Sequence, residues 1–249
     1  MRKIIQIYPK ALVIIKLRLV TIVLSLVALF FTALGQSAVL IKEKQWQKGM
    51  TLKVVFLDGS DQLKQLIKQT APQWLEKTSL SFQFFDNLSL APKSTHIRIS
   101  FKLHSGSELG NHGEYLLKTP TMNLFDLTTG KMSASASRRL ILHEFGHALG
   151  FEHEYRSQYW PYDYHSIDQI TIACYPKMEL IGYSKLSAIA HCKEINAPVD
   201  PDKYMATAYD EFSIMNYPMS VTLSSGDTKQ IKASTKLSYL DQHAIQQWY

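Results

Sequence analysis

The sequence has little cysteine: Cys174 and Cys192 are the only two in 249 residues. So few cysteines exclude the disulfide-dense scaffold of small secreted domains and a structural zinc site built from several thiolates. The 17 residues between them would form a loop that a disulfide closes easily. We therefore expect a Cys174–Cys192 disulfide. Two separate buried thiols remain the alternative, because spacing along the chain does not give distance in space.

Acidic residues are absent from the first 38 positions, which carry five basic side chains. The remainder carries 22 basic and 21 acidic side chains, so the net charge of +6 arises almost entirely from the N-terminal part. A nearly neutral remainder argues against the basic surface that nucleic-acid binding requires. We expect no nucleic-acid partner, and we expect a monomer with a single catalytic domain.

Charge of either sign is absent from residues 19–41, "LVTIVLSLVALFFTALGQSAVLI". A basic stretch, an apolar run and then small residues are typical of a secretory signal. The run is also long enough to span a bilayer if it is retained. We predict that residues 1–38 are a signal peptide cleaved near Ala38; a membrane anchor is the alternative. In both cases the preceding positive charge places residues 39–249 outside the cytoplasm, either secreted or periplasmic or anchored there.

The stretch "HEFGHALGFEHE" occupies residues 143–154 and holds three histidines. On a helix, His143 and His147 lie one turn apart on the same face, so their imidazoles can share one metal ion. Gly150 is suited to end the helix with a positive φ, which lets His153 turn back toward the same ion. Three nitrogen ligands leave one position of a tetrahedral Zn²⁺ open, as in catalytic zinc sites.

Glu144 follows the first of these histidines and would face the open position. Zinc lowers the pKa of a bound water molecule to about 7. Glu144 could take the proton of that water as a general base and later deliver it to the leaving amine. The spacing therefore predicts peptide hydrolysis without a covalent intermediate. The alternative, a solvated helix face that happens to carry these charges, becomes weaker when the third histidine and a downstream methionine are considered.

The pattern His143-Glu144, His147, Gly150 and His153, followed by "SIMNY" at 213–217, resembles the metzincin metallopeptidases and, among them, the astacin family. Glu154, directly after the third histidine, and the pair Tyr209-Asp210 fit the astacin pattern. The resemblance implies that Met215 packs beneath the metal without binding it. It also implies that Tyr217 can switch between binding zinc and stabilising the oxyanion of the transition state. Astacins usually have more cysteines, so their disulfide pattern does not transfer. They often have a histidine at the position of Asn216, which does not bind zinc, so this difference should have little consequence.

The resemblance implies an α+β fold of two lobes, residues 46–153 with a mixed twisted sheet and the zinc helix, and residues 154–249 with little regular structure and a terminal helix. Strands are predicted at residues 52–59, 80–85, 96–101 and, as the edge strand above the cleft, 120–125. Helices are predicted at residues 60–78 with a break at Pro72, at about 135–149 with Ser137 as a cap, and after Ser238 with Asp241 as its capping partner. Residues 106–115 are expected to form a glycine-rich loop.

The predicted function is that of an exported zinc endopeptidase acting on protein or peptide substrates. A zinc hydrolase acting on cell-wall peptides is a first alternative, because the chemistry of its site would be similar. A catalytically silent binding protein with the same fold is a second. The presence of all three ligands and the general base argues against it. The only membrane contact we expect is through the N-terminal segment.

Overall fold

A computed structural model describes residues 38–115, 119–163, 165–180, 182–206 and 208–249. The predicted signal peptide therefore lies outside the described residues except for Ala38. Among the described residues, no helix is both long and apolar enough to cross a bilayer.

A five-stranded sheet in the order β3-β2-β4-β6-β5 forms the scaffold of the first half of the chain. Its strands are β2 (Thr51–Phe56), β3 (Ser81–Phe85), β4 (Ile97–Ser100), β5 (Gly106–Ser107) and β6 (Met122–Asn123). All neighbours are parallel except β5 and β6, which are antiparallel, so the predicted mixed sheet is confirmed. The strands predicted at 52–59, 80–85 and 96–101 are β2, β3 and β4.

The edge strand of this sheet differs from the segment that the sequence predicts. The segment 120–125, predicted to be the edge strand, contributes β6, which lies between β4 and β5. The edge strand is β5, from the segment that was expected to be a glycine-rich loop. The order of strands depends on pairings between distant segments, which local alternation of side chains does not encode.

Helix α1 (Asp61–Thr70) packs beside the sheet and ends just before Pro72, as predicted. A 3-10 helix, Ala71–Leu75, continues the chain with Pro72 near its start. It buries Trp74 completely, and the indole Nε1 donates to the carbonyl of Leu142 at 2.7 Å. Trp74 also stacks on Phe151 at a ring distance of 5.0 Å, so this aromatic residue belongs to the core.

Helix α2 (Ala134–Ala148) is the predicted zinc helix. Its N-cap is Ser133, whose hydroxyl accepts from Ala136 N, and not Ser137, which lies inside the helix. Both serines precede helix-forming residues, so the sequence did not distinguish them. Residues 141–148 are all buried. Full burial of an apolar side chain such as Phe145 contributes about 1.5–3 kcal/mol relative to exposure.

Two helices after the third histidine were not predicted from the sequence. They are α3 (His165–Leu180) and α4 (Lys185–Asn196), and a Cys174–Cys192 disulfide joins them. Their apolar residues do not form one buried face: Ile172 is 60% exposed and Leu186 is 81% exposed. Periodicity, the main signal for a helix, is therefore weak in both segments.

The remaining elements are two short antiparallel strand pairs and a C-terminal helix. Strand β1 (Val39–Ile41) pairs antiparallel with β7 (Tyr204–Ala206), and β8 (Met219–Thr222) pairs antiparallel with β9 (Thr228–Ile231). Helix α5 (Tyr239–Trp248) begins at the predicted capping box of Ser238 and Asp241. Its apolar face joins the main core, where Trp248 lies 5.5 Å from the ring of Phe151.

Candidate metal centre

Two imidazoles project from the same face of α2. The Nδ1 atom of His143 lies 2.9 Å from the carbonyl oxygen of Ile214, and Nδ1 of His147 lies 2.8 Å from that of Phe151. A carbonyl oxygen only accepts hydrogen bonds, so both Nδ1 atoms must carry the proton. Each Nε2 atom is then left with a free lone pair. The backbone thus selects the tautomer that binds a metal through Nε2.

The third imidazole returns to this pair after a sharp turn at Gly150. Gly150 has a φ of +94°, in the left-handed region that glycine adopts most readily, and it ends the helix as predicted. The chain then brings Nε2 of His153 to 3.2 Å from both Nε2 of His143 and Nε2 of His147. The ligand atoms of the three histidines all lie within 4.8 Å of one another, close enough to hold one ion.

The electrostatics of the cluster also suit a metal ion. Burial lowers the pKa of His143 and of His153 well below the usual value, and the neighbouring imidazoles lower them further. Burial likewise lowers the pKa of His147. Neutral imidazoles with converging lone pairs form a donor set that zinc prefers. The residues present therefore fit the ion that the resemblance implies.

Glu144 is the acidic residue beside these ligands. Its side chain is buried, and among the described residues its Oε2 atom has no hydrogen-bond partner. Burial raises the pKa of Glu144 to about 8, while the positive charge of Arg139 opposes the rise. A buried carboxyl group without a structural partner is uncommon and is typical of a group kept for a reaction.

Met215 packs against Gly146, the third residue from the C-terminal end of α2 and the neighbour of His147. A Cβ atom at Gly146 would overlap the Sδ atom of Met215 and would lie 3.0 Å from Trp74. Glycine at position 146 therefore permits a close approach between helix and turn. The turn itself is held by Asp241, which accepts from Ser213 Oγ at 2.7 Å and from the backbone N–H of Ile214 at 2.9 Å.

Two further predicted residues flank this turn. The ring of Tyr217 lies 4.6 Å from that of His153 and 5.4 Å from that of His143, and burial raises the pKa of Tyr217. Glu154 is 1% exposed, and its Oε2 atom accepts from the backbone N–H of Asp210 at 3.4 Å. The geometry therefore brings Tyr217 to the three histidines, whereas Glu154 faces the segment that leads into the turn.

Comparisons with known proteins point in the same direction. No family profile matches the chain, and no curated protein matches it. Two structures of myroilysin are similar to it, both at 25% identity. One has a TM-score of 0.65 over 85% of this chain and 98% of the other, and the second has 0.57 over 84% and 86%. Myroilysin is an astacin-family zinc metalloprotease.

The chain is an astacin-like zinc metallopeptidase. A hatching-enzyme zinc protease of the medaka fish Oryzias latipes, high choriolytic enzyme 1, is also similar in fold at 20% identity. Its TM-score is 0.49, over 82% of this chain and 92% of the other. The similarity to myroilysin confirms the fold and the resemblance to astacin-like zinc metallopeptidases that the two sequence motifs indicate.

In this astacin-like enzyme a cleft of about 840 Å³ is lined by His147, His153 and Tyr217, among other residues. One wall includes residues 104–109 around the edge strand β5. Side chains of α3 and α4, among them Cys174 and Asn196, also line the cleft. Size and depth of this kind are typical of sites that enclose a ligand.

The sequence did not identify several side chains that hold this site. Arg139 lies one helical turn before His143, and its Nη2 atom donates to the carbonyl of Asn216 at 2.7 Å. Arg139 stands four residues before His143, and this spacing is the feature of the sequence that could have identified it. Tyr155 and Asn196 also contact the site, but they lie 41 residues apart and no pattern in the sequence connects them.

Proposed function

We propose that this astacin-like enzyme is an exported endopeptidase in which His143, His147 and His153 bind the zinc ion and Glu144 is the general base. The observation that supports it most is the convergence of three imidazoles, the first of which is followed in the chain by Glu144, whose buried Oε2 atom has no hydrogen-bond partner among the described residues. The bound ion would polarise the scissile carbonyl and activate the attacking water.

Glu144 would move the protons of the reaction. It accepts the proton of the attacking water and transfers it to the nitrogen of the leaving amine, so that the peptide bond breaks without a charged amide leaving. Its burial keeps competing solvent away, and Arg139 places a positive charge nearby that favours the ionised carboxylate. A pKa of about 8 leaves this carboxyl group largely protonated at neutral pH, so the positive charge of a bound zinc ion would be needed, in addition to Arg139, to favour the ionised base.

Tyr217 would donate a hydrogen bond to the oxyanion that develops on the scissile carbonyl. Its raised pKa keeps the phenol protonated at neutral pH, which a donor requires. Arg139 holds the carbonyl of the preceding Asn216, and so restrains the backbone from which Tyr217 extends. Met215 would support the site by packing against α2, and Gly150 would support it by turning the chain toward His153.

The substrate would lie extended across a cleft between the lobes proposed at about 46–153 and 154–249. The edge strand β5 offers backbone groups along one wall, as in recognition by strand addition. The proposal made from the sequence, with residues 120–125 at this edge, is replaced by one with β5.

Export would depend on residues 1–38. Ala38 is buried, and the carbonyl of Val39 accepts from the backbone N–H of Glu152 at 2.7 Å, next to the third histidine. Cleavage beyond Val39 would remove β1 from this contact, so processing is expected at or before residue 38. Mass spectrometry of the mature N-terminus tests this, and a mature protein that begins after residue 39 would contradict it.

The decisive experiment compares Glu144→Gln with the wild type in zinc content and in turnover of protein digests and cell-wall fragments. We expect the variant to keep one zinc ion per chain and to lose about 10³-fold in kcat, because only the proton transfer is removed. The matched control is Glu179→Gln, an exposed carboxylate on α3, which should change neither value. Normal turnover by Glu144→Gln would remove Glu144 from the mechanism.

The same assay separates the alternatives and tests Tyr217. Tyr217→Phe should lower kcat about 10²-fold with little change in KM, the effect of losing one oxyanion donor. A preference for wall fragments over protein digests would favour the cell-wall hydrolase. Binding of peptides with no turnover by the zinc-loaded wild type would favour the silent binding protein.

A further inference from the structure

The third histidine is oriented differently from the other two. Nδ1 of His143 and Nδ1 of His147 each face a backbone carbonyl, whereas Nδ1 of His153 lies 3.1 Å from the hydroxyl oxygen of Tyr155. A hydroxyl group can donate or accept, so it does not by itself select a tautomer of the ring. The tautomer of His153 depends on where the hydroxyl proton of Tyr155 points.

A second side chain determines that direction. The hydroxyl of Tyr155 lies 2.5 Å from Oδ1 of Asn196, and Nδ2 of Asn196 donates to the carbonyl of Cys192 at 2.8 Å. The latter bond fixes the amide with its oxygen toward Tyr155. Because an amide oxygen only accepts, the hydroxyl proton points to Asn196. The oxygen of Tyr155 then accepts the Nδ1 proton of His153, and Nε2 of His153 is left free.

We infer that Tyr155 and Asn196 are positioning residues that hold His153 in its metal-binding tautomer and thereby set the affinity for zinc. The inference rests on the proposed ligand set. Both side chains are almost fully buried, at 0% and 5% exposure, so water does not compete for these bonds. Hydrogen-bond partners of this kind change metal affinity about 10–100-fold when they are removed.

The same series of hydrogen bonds also connects His153 to the disulfide. Asn196 is the last residue of α4, and the carbonyl that orients it belongs to Cys192, which is bonded to Cys174 on α3. The two helices therefore act on the third ligand from outside the zinc motif. Reduction of the disulfide in the folded, metal-free protein should weaken zinc binding, as loss of Asn196 should.

The test measures the zinc Kd by chelator competition for the full mature chain. Tyr155→Phe should weaken binding 10–100-fold, because Nδ1 of His153 loses its acceptor. Tyr209→Phe is the matched control, since the hydroxyl of Tyr209 is buried without a partner among the described residues and its loss should change Kd less than twofold. Nitrogen chemical shifts of His153 in the metal-free protein report the tautomer directly: Nδ1–H in the wild type and a mixture in Tyr155→Phe.

Asn196→Leu tests the same inference if Tyr155→Phe does not fold. Without the amide oxygen, the hydroxyl of Tyr155 is free to donate to Nδ1 of His153, which favours the tautomer with its proton on Nε2. Zinc binding should weaken at least 10-fold, and the double variant should be no weaker than the worse single variant, because both act through one chain of bonds.

The outcomes separate this inference from the proposed function. A wild type that binds stoichiometric zinc, with Kd values for Tyr155→Phe and Asn196→Leu within twofold of it and an unchanged tautomer, would overturn the inference alone. A wild type that binds no zinc would overturn both. A loss of affinity equal in Tyr155→Phe and Tyr209→Phe would also overturn it, by assigning the effect to packing.

Discussion

The helix that carries His143 and His147 and the loop that carries His153 orient their imidazoles by different means. On the helix, backbone carbonyls accept the Nδ1 protons. On the loop, the hydroxyl oxygen of Tyr155 accepts the Nδ1 proton of His153, and Asn196, on a helix joined to its neighbour by a disulfide, orients that hydroxyl. Backbone groups remain when side chains change, whereas a side-chain partner is lost with one substitution. The helix half is thus the robust part of the site and the loop half the adjustable one.

Removal of the metal should give the largest effect on stability and should separate the two halves. At free zinc about 1,000 times above Kd, the bound ion stabilises the fold by about 4 kcal/mol, which a chelator removes. Urea unfolding measures the loss. Hydrogen exchange should then rise more for the amides of residues 151–157 than for those of 141–148, because the loop loses the ion as well as its weaker support. An equal rise in both segments would contradict the comparison.

The support of the helix half should depend on pH through Asp241. Burial raises the pKa of Asp241 from 3.8 to about 6 even though Ile214 N, Ser213 Oγ and Ser238 N donate to it. The folded protein therefore holds this proton more tightly than the unfolded chain does. Its contribution to stability is full below pH 4 and falls as the pH rises through 6, by about 3 kcal/mol over the whole window.

The check is urea unfolding of the metal-free wild type and of Asp241→Asn, which does not titrate at this position, between pH 3 and pH 7. The difference in unfolding free energy between the two proteins should shrink as the pH rises. A constant or growing difference would indicate that the carboxylate is ionised in the folded state throughout. The three histidine ligands are present in both proteins, so their titration cancels.

A smaller effect is expected from Gly146→Ala in the helix half. Alanine favours a helix interior over glycine by about 1 kcal/mol. The new methyl group would overlap Met215 Sδ, and overpacking of a core site costs about 1–3 kcal/mol. We expect a net loss of up to about 2 kcal/mol in thermal or urea unfolding and a smaller loss in a Met215→Ala background. A gain of about 1 kcal/mol in stability would show that the helix propensity of alanine outweighs the overlap with Met215 at this position.

The part of the site that the sequence predicted is the part built from local geometry. His143 and His147 are related by one helical turn, and Gly150 has the φ that only glycine adopts easily, so short-range spacing was sufficient. The capping box at Ser238 and Asp241 was predicted for the same reason. These features depend on residues within a few positions of one another.

The part that was missed depends on contacts between distant segments. Tyr155 and Asn196 meet only because α3 and α4 fold against the loop, and those helices have exposed apolar residues that obscure their period. The edge position of β5 follows from the order of five strands, which is set by pairings across the sheet. The cap of α2 was misplaced by four residues, because a serine stands at both positions.

The contact of Gly146 with Met215 and Trp74 has a mechanical consequence. Met215 and Trp74 fill the space that a Cβ atom at position 146 would need, so we expect little room for the helix to move toward these two side chains. We therefore expect any widening of the groove for a bulky residue to involve the residues of α3 and α4 that line it, where one disulfide joins the two helices. The range of peptides that the enzyme accepts would then depend on α3 and α4, while the three histidines keep their positions.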